Sequence, residues 1–206
     1  GLEFADALRI LAQRAGVELK RQDPKIRSQR QRLYEISNLA CRFFEKQLEN
    51  SKTGREAKKY LLSRGVKEET IREWRLGYAP DSWESLTNFL QDRGFKEQEI
   101  AEAGVSIKRD GGRGSYDRFR SRVMFPISDL NGQVVGFTGR TFLPVGRPSG
   151  DKAPADTAKY VNTPQTLLYD KSRVLYGLDR AKLSVRQKDR CLVVEGNMDV
   201  IMSHQA

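Results

Sequence analysis

Histidine is almost absent from this sequence, cysteine is scarce, and no long apolar run occurs. One histidine, His204, and two cysteines, Cys41 and Cys191, are all that 206 residues provide. The close-spaced ligand pairs of a zinc site cannot be assembled from them. The cysteines lie far apart, one in a helical pattern and one opening an apolar run, so both are expected as buried thiols in a reducing compartment. No stretch approaches membrane-spanning length and no signal peptide precedes the first helical pattern, so a cytoplasmic protein with no membrane partner is expected. Acids are also in deficit, 27 Asp and Glu facing 37 Lys and Arg for a formal charge of +10. Such an excess suits either a polyanionic partner or a merely soluble basic surface, and only the placement of the charges separates the two. A hydrophobic content of 38% is adequate for a real core.

The chain opens on Gly1 with a helical pattern already under way and stops at Ala206 within another, so it is expected to be an internal part of a longer protein. Leu2, Ala5, Leu8, Leu11 and Ala12 recur at helical spacing, with Gly16 placed to end the helix. The charged stretch "KRQDPKIRSQRQR", punctuated by Pro24, carries the strongest linker signal and marks a boundary. From Ser28 onward Leu33, Ile36, Ala40, Phe43, Phe44 and Leu48 form the apolar stripe of a long helix. "TGREAKKYLLSRGVKEETIREWRLGYAP" predicts short helices separated at Gly65, with Thr53 able to cap the first. "SWESLTNFLQDRG" and "FKEQEIAEAG" repeat the helix-then-Gly arrangement.

The period then changes. Val123, Phe125 and Ile127 alternate, Asn131-Gly132 turns the chain, and Val134, Val135 and Phe137 return it, which predicts a β-hairpin. In an extended strand Arg118, Arg120 and Arg122 fall two apart on one face, with Arg140 closing the partner strand. Like charges on one face repel, so the row either meets phosphates or stands as a solvated, aggregation-guarding edge. Tyr116 and Phe119 read as packing residues. The Pro- and Gly-rich stretch from Leu143 to Ala158 predicts an exposed loop, and Leu175, Tyr176 and Leu178 open another helix. By spacing alone Lys159 and Lys171 are ordinary surface residues.

"CLVVEGNMDV" predicts a buried strand, a tight exit at Gly196 and a helix with Asp199 in its first turn. Such a turn lies at the carboxyl end of a sheet, where open α/β folds bind ligands. Glu195 and Asp199 there could hold a hard divalent cation or move a proton in phosphoryl transfer. Equally, Asp199 complements the helix dipole and Glu195 meets solvent or an arginine.

"VVEGNMDVI" resembles the first signature of the toprim domain. "RFRSRVMFPISDLNGQVVGFTGR", "AKYVNTPQT" and "YDKSRVLYGL" resemble, in the same order, motifs of the RNA-polymerase core of DnaG-type bacterial DNA primases. "YLLSRGVKEETIREWRLGYAP" resembles the opening of that core, and "GLEFADALRILAQRAGVEL" is similar to the tail of the zinc-binding module before it. The resemblance implies an α+β amino-terminal core subdomain over 23–188, preceded by the module tail and linker over 1–22. It also implies the first strand and partial helix of an α/β toprim domain over 189–206.

The implied enzyme synthesises RNA primers on a single-stranded DNA template from ribonucleoside triphosphates, with Mg2+ or Mn2+, and works with a replicative helicase through other regions. Glu195 would be the general acid/base and Asp199 would join it among the metal-binding acids. Arg118, Arg120, Arg122, Arg140, Lys159 and Lys171 match basic motif positions along the template and nucleotide paths. Asn197 stands where the family usually has Tyr, and the 143–158 loop is longer than in many relatives. The family's Asp-x-Asp metal motif is expected downstream of Ala206 and its zinc ligands upstream of Gly1. The chain alone is therefore expected to be inactive. Alternatives are the primase half of a phage-type primase-helicase, another toprim enzyme, or an inactive single-strand-binding module. The "FRSRVMFP" and "KYVNTP" segments argue against topoisomerases.

Overall fold

Apolar patterns of helical and of strand period sort the chain into a helical layer and a small sheet. The computed structural model describes residues 11–12, 14–15, 24–109, 111, 114–142 and 158–206. They belong to two units, Gly1–Gln31 and Arg32–Ala206. In the first unit Leu11, Ala12 and Arg14 are helical, while the rest of the expected opening helix and its Gly16 terminus lie outside the described residues. Most of the 143–158 loop also falls outside them.

Helix α1 spans Pro24–Asn50, and within the second unit Leu33, Ile36, Ala40, Phe44 and Leu48 form its buried stripe. The helix starts earlier than its apolar stripe indicates because Pro24 sits comfortably in a first turn, where its missing N–H is not needed. Helices α2 (Lys52–Ser63) and α3 (Glu68–Glu73) follow, then strand β1 (Gly77–Ala79). The cap of α2 is Ser51, whose Oγ accepts the Gly54 N–H at 2.9 Å; Thr53 lies inside the first turn and does not cap. Gly77 is required by close approach: a Cβ there would stand 2.5 Å from the Phe44 Cβ, so only glycine lets β1 lie on α1. Helices α4 (Ser85–Gln91) and α5 (Glu97–Glu102) lead into the hairpin of β2 (Ser106–Lys108) and β3 (Ser115–Asp117).

The expected hairpin forms as β4 (Arg122–Ser128) and β5 (Val134–Thr141), paired antiparallel. Asp129 Oδ1 fixes its turn by accepting the N–H groups of Asn131 at 2.8 Å and Gln133 at 3.0 Å, and Gly132 supplies the positive φ of 78°. Strand β6 (Tyr160–Asn162) completes a sheet of order β1-β4-β5-β6. The hairpin is therefore central and buried on both faces. One core joins α1, α4 and α5 to Phe119, Met124 and Phe137; a second joins α2 and Trp74 to Tyr78, Val123, Phe125 and Ile201. Each such buried aromatic or aliphatic side chain contributes about 1.5–3 kcal/mol relative to exposure.

Helices α6 (Leu178–Lys188) and α7 (Asn197–Gln205) close the chain. Leu175 and Tyr176 precede α6 instead of opening it, because Gly177 at φ 78° breaks the helical path. The strand expected over 191–194 does not form: this run has no ladder partner among the described strands, and Leu192 and Val193 are 76% and 73% exposed. Cys41 is buried as expected, but Cys191 is exposed with that run. Among the described residues no helix is long and apolar enough to cross a membrane.

Candidate nucleic-acid interface and acidic turn

The arginines expected on one strand face part company because residues 118–121 lie outside any strand, with bends at Arg118 and Ser121. Ser121 adopts φ 50°, and β4 begins only at Arg122. This turn points the side chains to different environments. Arg122 is 3% exposed and donates to the Gly139 carbonyl at 3.2 Å, Thr141 Oγ1 at 2.9 Å and the Ala158 carbonyl at 3.0 Å. Burial, and then the Arg120 charge, pushes its guanidinium below the usual arginine range, though it stays protonated at any working pH. Arg122 therefore staples β5 to the entry of β6, its Nη1 turned to oxygens of the protein itself. Arg118 is half-buried: its backbone N–H donates to Val105, and burial lowers its guanidinium as well. Its Nε is buried without a hydrogen-bond partner among the described residues.

Arg120 instead stacks on Trp83, with its guanidinium carbon 4.0 Å from the ring centroid, and lies 5.3 Å from the Tyr116 ring. It also donates to the Asp117 carbonyl. Asp117 holds this corner together. Its carboxylate accepts from the backbone N–H groups of Leu86 and Thr87 at 2.8 and 2.9 Å, so a residue distant in sequence caps α4. Burial raises its pKa against those hydrogen bonds. The indole of Trp83 is 58% exposed and borders an open concavity of about 580 Å³, lined also by Ser82, Ser85, Asn88 and the Glu84–Arg109 ion pair of 2.6 Å. Trp83 was not evident from periodicity; its signal is an aromatic in a Pro-Asp-Ser loop, outside any apolar stripe.

A second basic and aromatic group forms across the sheet edge. Arg140 pairs in register with Tyr160, and its guanidinium carbon lies 5.6 Å from the Tyr60 ring and 5.9 Å from the Tyr160 ring. Lys159 Nζ is 6.0 Å from the same Tyr160 ring. Phe142 packs between Tyr60 at 5.7 Å and Tyr78 at 6.2 Å, fixing the floor. Arg140 and Lys159 are thus brought together at the Tyr160 ring, while Lys171 stands apart in the exposed 171–173 turn.

Glu195 and Asp199 are both exposed at the start of α7. Gly196 permits their turn: a Cβ there would be 2.8 Å from Asp199 Oδ2, so the carboxylate folds back over the glycine. The pair suits a hard cation in kind but not in number, since among the described residues no group of three potential metal-binding side chains occurs. Two carboxylates alone do not make a metal site.

A family model described as the DNA primase catalytic core, N-terminal domain, matches residues 43–182. The DNA primase of Synechococcus elongatus is 42% identical over 181 residues, covering 87% of this chain and 24% of that protein. That of Deinococcus radiodurans is 41% identical over 205 residues, covering 99% of this chain and 33% of that protein. Among solved structures, the RNA polymerase domain of Mycobacterium tuberculosis primase DnaG, in complex with a double-stranded DNA oligomer with a 6-nucleotide overhang, is similar with a TM-score of 0.76. It is 38% identical and covers 85% of this chain and 51% of that one. A DnaG primase catalytic domain bound to single-stranded DNA gives a TM-score of 0.70 at 38% identity, covering 86% of this chain and 51% of that one. The chain spans about a third or less of the length of these curated relatives. By the core-domain match and these identities, it belongs to the DnaG-type bacterial DNA primase family, in the amino-terminal part of the catalytic core.

Proposed function

We propose that this chain is the template-holding part of a primase that builds RNA primers on single-stranded DNA from ribonucleoside triphosphates. The observation that carries the reading is the Arg140–Lys159 pair set over Tyr60 and Tyr160. Cations beside exposed ring faces hold a nucleic-acid backbone while letting bases stack without regard to sequence. Arg120 on Trp83 offers a further platform of the same kind.

In the parent protein Glu195 would take or deliver the proton of the attacking hydroxyl, and Asp199 would add negative charge beside it. The divalent cation implied by the family resemblance would need further oxygen donors beyond this pair. Residues 23–188 would form the amino-terminal core subdomain, with 189–206 entering the toprim domain. Ribonucleotides and a helicase belong to the parent protein in this reading, as does a cytoplasmic location.

The test is single-strand binding by the 206-residue chain, followed across salt concentration. Binding should be weak, indifferent to sequence and steeply salt-dependent. Arg140→Glu or Arg120→Glu should each flatten the salt slope by about one contact. Arg122→Leu should leave the slope unchanged and destabilise the fold instead, by about 3 kcal/mol, because its carbonyl partners lose their donor. A flattened slope in Arg122→Leu, or none in Arg140→Glu, would contradict the assignment.

A further inference from the structure

Helices α3 and α5 begin alike, with Gly65-Val66-Lys67 and Gly94-Phe95-Lys96 leading into them, but their first turns are completed differently. In α5 the cap is local: Glu99 reaches back, and its Oε2 accepts the Lys96 N–H at 2.8 Å. In α3 the corresponding position is Thr70, whose short side chain has no acceptor long enough to return to Lys67. The Lys67 N–H is satisfied from the far end of the chain instead. Gln205 Oε1 accepts it at 2.8 Å and also accepts the Thr70 hydroxyl at 2.7 Å, while Gln205 Nε2 donates to the Gly65 carbonyl at 2.9 Å.

Both ends of one amide are thereby used on one helix start. The neighbouring contacts of α7 agree in placing the helix there. Ile201 is fully buried, His204 meets Trp74 edge-on at 5.4 Å, and a Cβ on Gly65 would lie 3.3 Å from Met202 Cε. The same α7 carries Asp199 in its first turn and follows directly from Glu195. A short α-helix is a stiff rod, so fixing its last residue constrains the direction in which its first turn faces.

We infer that Gln205 is a positioning residue: by capping α3 in trans it locks α7, and with it the Glu195–Asp199 turn, onto the amino-terminal helices. The inference rests on the acidic-turn reading given above for its consequence, but not for the clamp itself. Misplacing a reacting group by about 1 Å can cost on the order of 10²-fold in rate, so a single amide clamp can matter to the chemistry.

Two measurements test it. In the 206-residue chain, Gln205→Leu should speed hydrogen exchange at the Lys67 amide by about tenfold, the equivalent of one net hydrogen bond. Gln205→Glu, which keeps the acceptor, should restore most of the protection. Unchanged exchange in Gln205→Leu overturns the clamp. In the parent protein, Gln205→Leu should lower kcat per folded molecule about tenfold while KM for nucleotide and affinity for template stay within about twofold, and Gln205→Glu should recover part of the loss. Loosened exchange with unchanged kcat would reduce Gln205 to a structural contact and overturn its positioning role. Failure of the polymerase reading shows differently. A wild-type parent without primer synthesis removes the reaction, and the exchange contrast at Lys67 still decides the clamp.

Discussion

Val123–Ile127 and Cys191–Val194 are short, wholly apolar runs, and either would pass for a strand by its residues alone. The first lies between β1 and β5, pairs with both, and is buried throughout. The second pairs with none of the described strands, and Leu192 and Val193 face solvent beside an apolar groove of about 510 Å³ whose other walls include Leu178, Val185 and Val200. A strand is a property of neighbours. Backbone donors and acceptors need a ladder on at least one edge, and a run of valines supplies only the side chains. The structurally complete region carries the basic and aromatic surface, while the open region carries the acidic turn.

The largest effect is expected at Glu195. If the open region exists for chemistry, Glu195→Gln in the parent protein should cut primer synthesis by about 10²–10⁴-fold, the usual range for removing a general acid or base. Melting temperature should move by less than about 2 °C, since the residue is exposed. Template affinity should stay within a few-fold because the arginines hold the strand. A variant that melts early yet retains full activity would make Glu195 a structural residue.

Next comes the contrast in stability between the runs. Phe125 is 1% exposed, and Phe125→Ala should cost about 3–5 kcal/mol in urea unfolding of the 206-residue chain. Val193→Ala in the same chain should fall within about 0.5 kcal/mol of no effect. In the parent protein Val193→Ala should become clearly destabilising, because the proposed toprim sheet would cover it. Similar small effects in both proteins would mean that the run stays solvent-facing and that the sheet reading is wrong.

Much of the complete region was legible because its signals are local. The Asn131-Gly132 turn between alternating runs, the α1 stripe from Leu33 to Leu48, and the packing role of Phe119 each follow from a few adjacent residues. What was not legible depends on partners distant in sequence or on a single dihedral. The arginine row failed at Ser121, whose φ of 50° turns Arg122 inward, and no strand pattern announces that. Strand β1 has only three residues, too few for a period to register. The caps supplied by Asp117 to α4 and by Gln205 to α3 arise from folding and leave no motif. Of the expected site residues, Arg140 with Lys159 and Glu195 with Asp199 stand near one another, while Arg122 became a buried staple. Trp83 belongs to no apolar period and is marked out by its exposure.

The smallest effect concerns the two thiols, which report the same contrast without altering stability. Cys41 sits in the α1 core, where burial both hides it and pushes its pKa upward, so the reactive thiolate is suppressed at any working pH. Cys191 opens the uncovered run and is exposed. A maleimide added to the native 206-residue chain should therefore modify Cys191 promptly and Cys41 only after denaturation, with mass spectrometry of the peptides assigning each adduct. In the parent protein, a strand seated against Val193 would also cover Cys191, and its labelling should slow by at least about tenfold, since modification would then wait on local opening. Equal rates in the two proteins would show that nothing covers the run, and the contrast between the regions would then belong to the molecule as a whole. Rapid labelling of Cys41 in the native chain would instead mean that the α1 core opens readily, which its full burial argues against.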